Sequence, residues 1–281
     1  MRIRIGFDIT IERLGETPVV LALAPRPEED WRLEAPMPIE LTPASRARPF
    51  TDAFGNRRLR VPAASGPLRM RWDAVAQDDG LPDGFDPEAR CLPIDDLPAE
   101  TLQYLSPSRY CESDLLTPDA WAMFGALEPG WQRVQAICDF VHNHIQFGYG
   151  HASPNKTALD VWRDGRGVCR DFAHLTIALC RALNIPARYC SGYLGDIGVP
   201  YAGEGDFCAW VEVHVGGVWR TIDARYNMPR IGRIVMVRGR DAVDVPMITA
   251  FGAIRMEAFK VWCDEVTAEE EHAPQQLAYA S

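Results

Sequence analysis

Residues 208–223 read CAWVEVHVGGVWRTID. Two strand-like runs flank Gly216-Gly217, which is the pattern of a hairpin with a favoured two-residue turn. In the register that this turn sets, Cys208 faces Arg225. Alternate residues of one strand share a face of the sheet, and so do directly opposed residues. The hairpin therefore predicts that Cys208 and Asp223 are diagonal neighbours, about 7 Å apart at the backbone.

A second stretch, residues 166–184, predicts a helix with one buried stripe. It reads RGVCRDFAHLTIALCRALN, and the stripe contains Val168, Phe172, Leu175, Leu179 and Leu183. Cys169 falls in the first turn, where unpaired N–H groups and the positive end of the helix dipole stabilise a thiolate. Gly167 before it would let another chain approach the sulfur closely. Cys169 is therefore a candidate nucleophile, and its alternative interpretation is a buried residue at a helix start.

The residue at position 208 decides how far this chemistry goes. A histidine there would donate one ring N–H to Asp223 and offer its other nitrogen to a thiolate, the arrangement used for nucleophilic acyl transfer. This chain has Cys208 instead. A thiol does not shuttle protons at neutral pH as imidazole does. Loss of general acid–base catalysis lowers a rate by about 10²–10⁴.

Other histidines are poor substitutes for one at position 208. His214 has the same parity on the strand but lies about 20 Å further along it. His174 lies about 140° around the helix from Cys169 and is interpreted as a helix-flank residue. His151 occupies a loop that could fold back, so it stays open as a base.

Composition excludes several classes of protein. The chain has 281 residues, of which 47% are hydrophobic and 24% charged, as in a folded globular protein. The formal charge of −10 argues against a nucleic-acid partner. No apolar run is long enough for a membrane span, and the N-terminus has no signal-peptide core, so the cytosol is the expected compartment. The eight cysteines include no C-x-x-C pair, which argues against a structural zinc site.

The order of patterns along the chain predicts an α+β protein. Period-two alternation over 3–11 and 68–74 indicates antiparallel strands, and the acidic, proline-rich residues 78–98 indicate a surface linker. A helix is expected to begin at Thr117-Pro118, and short strands return after Pro186. The predicted division is an N-terminal antiparallel β domain over 1–97, which ends in the linker, a core over 98–265 and an acidic flexible tail over 266–281.

Several motifs resemble the bacterial transglutaminase-like superfamily, and the similarity spans nearly the whole chain. They are GVCRDFA at 167–173, ARYCSGY at 187–193, AWVEV at 209–213 and DAR at 223–225, with YLSPSRY at 104–110 and GRDA at 239–242. The resemblance implies a papain-type core of helices packed on an antiparallel sheet, preceded by the family's β-rich region. It also implies Cys169 as the nucleophile and Asp223 as the orienting acid. The family histidine falls on Cys208.

Three functions stay open on these grounds. The first is an amide hydrolase or acyltransferase, of the cysteine-peptidase kind, that attacks a peptide or protein substrate through Cys169 without cofactor or metal. The second is a catalytically impaired or inactive scaffold that keeps the fold and cleft for binding. The third is a thiol redox or metal site at Cys169, Cys208 and Asp223. The residues favour neither a membrane nor a nucleic-acid partner, and they leave the oligomeric state open.

Overall fold

The structure is a computed structural model that describes residues 1–35, 37–200 and 205–266. Its helices are α1 Ser113–Phe124, α2 Trp131–His144, α3 Ala158–Asp164 and α4 Cys169–Ala182. Its strands are β1 Arg2–Arg13, β2 Val19–Leu21, β3 Leu33–Glu34, β4 Glu40–Thr42, β5 Arg48–Thr51, β6 Arg57–Val61, β7 Gly66–Gln77, β8 Gln146–Phe147, β9 Arg166–Gly167, β10 Ala187–Tyr193, β11 Cys208–Val215, β12 Val218–Ile222, β13 Ile234–Gly239, β14 Ile248–Ala250 and β15 Ile254–Glu265. Antiparallel sheets and packed helices together confirm the α+β class.

Two antiparallel sheets contain the strands of the first eighty or so residues. The larger has the order β15-β1-β7-β3, with β4 also paired to β7, and the smaller has the order β14-β2-β6-β5. The alternation predicted for β1 is confirmed, because Ile3, Ile5, Phe7, Ile9 and Ile11 are all fully buried. Each sheet also takes one strand from the end of the chain, β14 or β15. The division at residue 97 stays a prediction.

The third antiparallel sheet, β12-β11-β10-β13, carries the predicted hairpin. Val211 pairs with Ile222 and Val215 with Val218, which is the register that the sequence predicts. The turn glycines at 216 and 217 have φ of 66° and 77°, as a turn with two left-handed residues requires.

Helix α4 is the centre of the core, between this sheet and the other helices. Every residue from Asp171 to Ala182 is buried, so the helix has no solvent-facing side. The sequence predicts only one buried stripe. The difference arises because α1, α2 and α3 cover the faces that the sheet leaves open. In α2 the apolar residues at helical spacing, Trp131, Val134, Cys138 and Val141, are buried as well.

Two local expectations need correction or completion. Helix α1 begins at Ser113, so the predicted start at Thr117-Pro118 is wrong, and Pro118 lies inside the helix. The Thr117 hydroxyl donates to the Ser113 carbonyl at 2.8 Å instead of capping a helix. The acidic segment 78–98 does lie mainly at the surface, but ion pairs such as Asp83–Arg233 at 2.9 Å hold it against the core.

The predicted tail 266–281 lies outside the described residues except for Val266. Among the described helices, none combines the length and the apolar character needed to cross a bilayer.

Candidate functional site

Cys169 is the first residue of α4, in the first turn as predicted. The Asp171 carboxylate accepts a hydrogen bond from the Val168 N–H at 2.9 Å and so closes the start of the helix. A Cβ at Gly167 would lie 2.6 Å from the Cβ of Asp171. The glycine therefore makes room for Asp171 of the same helix, and not for another chain beside the sulfur, as the sequence had suggested.

Cys169 as a whole residue is half-buried, and its thiol accepts a hydrogen bond from the backbone of Ala209. Burial raises the pKa of the Cys169 thiol, while the positive charge of Arg225 and the Ala209 hydrogen bond lower it. Burial is the largest of these influences, so the pKa lies above its ordinary value. The expected stabilisation of a thiolate at the helix start is therefore outweighed by removal of the sulfur from water.

Cys208 is buried at the first position of β11 and pairs with Gly192 of β10. Its side chain lies in a small apolar cluster that is separate from the main core. The buried members of this cluster are Cys190, Leu194, Cys208, Trp210 and Val235. Burial, followed by the negative charge of a Cys169 thiolate, raises the pKa of Cys208 to about 12. Both cysteines are free thiols.

Asp223 follows β12 and is buried, with both carboxylate oxygens engaged. One oxygen accepts from the Arg225 backbone N–H at 3.0 Å and the other from Arg233 Nη2 at 2.9 Å. Its negative charge raises the pKa of both Cys169 and Cys208. The structure thus brings the three predicted residues close enough for their charges to influence one another, and their catalytic roles stay predictions.

Two arginines contact these residues, and neither was identified as functional from the sequence. Arg225 Nη1 lies 4.0 Å from Cys208 Sγ, which agrees with the predicted register. The hairpin pattern could therefore have identified Arg225 as a neighbour of Cys208. Arg233 pairs with Asp223 and also with Asp83 at 2.9 Å. No short-range pattern links Arg233 to Asp223, because the intervening chain is irregular and Asp83 is distant in sequence.

Two tyrosines, Tyr149 and Tyr226, also lie near the two thiols. Burial raises the pKa of Tyr149, and the charges of Asp206 and the two thiols add to that effect. Tyr226 packs against the apolar cluster around Cys208, and its ring contacts the guanidinium of Arg225. Tyr226 lies in a turn after β12 and beside the site.

Within the described residues, no histidine hydrogen-bonds to either thiol. His174, interpreted as a helix-flank residue, is instead fully buried, and its Nε2 accepts the Ala242 N–H at 3.2 Å. Its ring stacks on Tyr110 at 5.2 Å and packs against Tyr189 at 5.3 Å, because α1, α3 and the sheet enclose α4. Burial holds the pKa of His174 well below its ordinary value, so it is a neutral core residue.

Side chains that could hold a metal ion do not converge in the described part of the chain. No group of three or more His, Cys, Asp or Glu side chains there has suitable positions. Asp223 already bonds two donors, which leaves its oxygens poorly placed for a cation. The metal version of the third hypothesis therefore lacks a ligand set among these residues.

Comparisons with known proteins agree with this architecture. Residues 122–224 match the family model of the transglutaminase-like superfamily. An uncharacterized protein from Mycobacterium leprae (strain TN) is 34% identical over 116 residues, which cover 40% of this chain, and the chain spans 41% of the length of that curated relative.

Two solved structures extend the comparison. The crystal structure of "a putative cysteine protease" from Cytophaga hutchinsonii is 31% identical with a TM-score of 0.79, and the match covers 94% of this chain and 90% of that one. The periplasmic domain of TgpA from Pseudomonas aeruginosa is 16% identical with a TM-score of 0.40, covering 79% of this chain and 88% of that one.

Proposed function

The chain belongs to the transglutaminase-like superfamily, and on that premise we propose that it acts on an amide of a peptide or protein through the Cys169 thiol. The observation that carries the proposal is the position of the half-buried Cys169 at the start of α4, where its thiol interacts with the charge of Asp223 and with Cys208, the residue at the family's histidine position. Asp223 is proposed to orient the site, as it does in the family pattern. The reaction is hydrolysis or acyl transfer to a second amine.

The chemistry proceeds through a thioester. The Cys169 thiol loses its proton to water, and the thiolate attacks the amide carbonyl carbon so that an S–C bond forms. The C–N bond then breaks, and the departing amine takes a proton from water, because no histidine of the described residues hydrogen-bonds to either thiol. Water, or a second amine, cleaves the thioester and returns the thiol. Proton transfer is the slow part of this sequence, since Cys208 stands where a histidine would supply it.

Restoring the histidine tests this proposal directly. Release of ammonia from a glutamine-containing peptide, and cleavage of a casein substrate, are measured for the natural chain and for Cys208→His. We expect Cys208→His to raise the rate by about 10²-fold or more. The double variant Cys169→Ser with Cys208→His is the matched control and should be inactive. Equal rates with and without Cys169 would contradict the proposal.

The second candidate function is a scaffold that binds through the same cleft without turnover. Cys208 at the histidine position favours it, as does the buried, neutral state of His174. If Cys208→His is folded but has no amide activity on a panel of peptides, the scaffold is the better explanation. The thiol redox version of the third hypothesis has less support, because both sulfurs are free and Cys208 lies in its own apolar cluster.

We keep the cytosol as the proposed compartment. All eight cysteines are free, which fits a reducing environment.

A further inference from the structure

The Arg225 guanidinium is held between two aromatic rings. Its central carbon lies 4.0 Å from the ring centre of Phe147 and 4.7 Å from that of Tyr226. Its Nη1 lies 4.0 Å from Cys208 Sγ. In the described part of the chain no carboxylate forms an ion pair with Arg225. The contacts with the two rings therefore hold the guanidinium in place, and no carboxylate partner neutralises its positive charge.

Phe147 places this cation beside the nucleophile. Strands β8 and β9 pair in parallel, so Phe147 lies opposite Gly167, which precedes Cys169 by two residues. The ring of Phe147 also lies 6.4 Å from the ring of Phe172 in the first turn of α4. The Arg225 guanidinium thus packs on the ring of Phe147, which in turn lies against the start of α4. Its Nη1 atom reaches Cys208 at the start of β11.

The charges around the Cys169 sulfur show what Arg225 does there. The titratable groups that face this sulfur are Arg225, Asp206, Asp223, Cys208, Tyr149 and Tyr189. Burial and the two carboxylates raise the pKa of Cys169, and Arg225 is the charged group that lowers it. All the other groups are acids, whose ionised forms disfavour a thiolate.

We propose that Arg225 is the cation that stabilises the Cys169 thiolate in this chain, in place of the imidazolium that a histidine at position 208 would provide. The proposal rests on the proposed function only in taking Cys169 as the nucleophile. A guanidinium stays protonated at any physiological pH, so Arg225 supplies charge and no proton. It favours formation of the nucleophile and leaves protonation of the leaving group to water.

Alkylation of Cys169 without any substrate tests this proposal. Rates for neutral iodoacetamide and anionic iodoacetate are measured from pH 6 to 11 by mass spectrometry of the Cys169 peptide, in the full chain and in Arg225→Gln and Arg225→Lys. We expect Arg225→Gln to raise the midpoint by about one pH unit and to slow alkylation at pH 8 about tenfold. It should also abolish a preference for iodoacetate, and Arg225→Lys should restore part of both effects.

Arg220→Gln is the matched control, because Arg220 pairs with Asp86 and is absent from the charges around Cys169. It should leave the midpoint unchanged. In the unmodified chain, 1 M salt should weaken the preference for iodoacetate, so the proposal is testable even if Arg225→Gln fails to fold. An unchanged midpoint and an unchanged reagent ratio in a folded Arg225 variant would overturn it. Loss of amide turnover with these effects intact would instead contradict the proposed function alone.

Discussion

At the scale of single residues, the proposed function implies that Cys208, at the position of the family histidine, separates two steps that an imidazole would combine. Arg225 and the Ala209 amide both favour a thiolate at Cys169, and no histidine of the described residues hydrogen-bonds to either thiol to pass a proton to a leaving amine. The identity of the leaving group should therefore determine which compounds react.

We predict that Cys169 reacts with esters whose leaving group departs as an anion. p-Nitrophenyl acetate should give a burst of p-nitrophenolate, because that leaving group needs no proton. The matching p-nitroanilide should react about 10²–10⁴ times more slowly. Stopped-flow absorbance measures both, and Cys169→Ser should lose the burst. Comparable rates for ester and anilide would mean that the site holds a proton donor after all.

Gly167 provides a second prediction at this scale. Gly167→Ala would place a Cβ 2.6 Å from the Cβ of the buried Asp171, so the start of α4 must shift. We expect a loss of about 1–3 kcal/mol in the free energy of unfolding, measured with urea. Gly15→Ala is the control, since a Cβ there meets nothing within 4 Å, and it should change stability by less than about 0.5 kcal/mol. Similar values for the two variants would show that Asp171 relocates freely.

At the scale of elements, Glu212 links three neighbouring strands of the core sheet, β11, β10 and the edge strand β13. From β11 it accepts hydrogen bonds from Arg188 of β10 at 2.7 Å and from Arg238 of β13 at 2.8 Å. Burial acts to raise the pKa of Glu212, but Arg238 and Arg188 together outweigh it, and the pKa lies below its ordinary value. The carboxylate therefore stabilises the fold above its unfolded pKa, and this contribution disappears as the pH falls through the folded pKa.

We predict that Glu212→Gln lowers the free energy of unfolding by about 3 kcal/mol at pH 7, because it leaves the largely buried Arg188 without its carboxylate partner and Arg238 with Glu28 alone. The deficit should shrink as the pH falls below about 4, where the natural side chain becomes protonated too. Urea titrations at pH 7 and pH 3.5 measure this. Glu257→Gln, at the exposed Arg255–Glu257 pair of β15, should cost less than about 1 kcal/mol. A deficit that is constant with pH would contradict the assigned ionisation of Glu212.

Elements governed by local periodicity could be predicted from the sequence, and those governed by distant partners could not. The hairpin register and the buried stripe of α2 follow from spacing alone. The proximity of Asp223 to Cys208 follows from that register. The burial of His174 depends on Tyr110 and Tyr189, which lie far away in sequence. Arg233 likewise reaches Asp223 only because the fold brings its segment back.

At the scale of the whole molecule, β15 connects the larger of the first two sheets to the segment that follows β10. The Trp262 ring covers Gly6 of β1, and its indole N–H donates to Asp73 of β7 at 2.8 Å. On the other edge of β15, Gly195 lies so close to the Cys263 carbonyl that a Cβ there would clash. Gly195, at the start of the segment after β10, therefore packs against the same strand that pairs with β1 in the larger sheet.

We predict that a chain ending at residue 253 does not fold cooperatively, because it exposes the full edge of β1 and removes the support of Gly195. Circular dichroism melts and size-exclusion chromatography measure this. A chain ending at Val266 is the matched control and should melt as the full chain does, as expected for the acidic residues 267–281. A sharp, native-like melt of the shorter chain would show that β15 is dispensable.

The return of β15 to β1 also constrains how the protein is made. On a ribosome, residues 2–13 emerge before their partner over 254–265, which follows only after the residues between them have been synthesised. Until then one side of β1 offers unpaired amide and carbonyl groups to any neighbouring nascent chain. Translation stalled in this last stretch would therefore release a polypeptide with an intact core sequence and an aggregation-prone front, which cellular chaperones would have to hold.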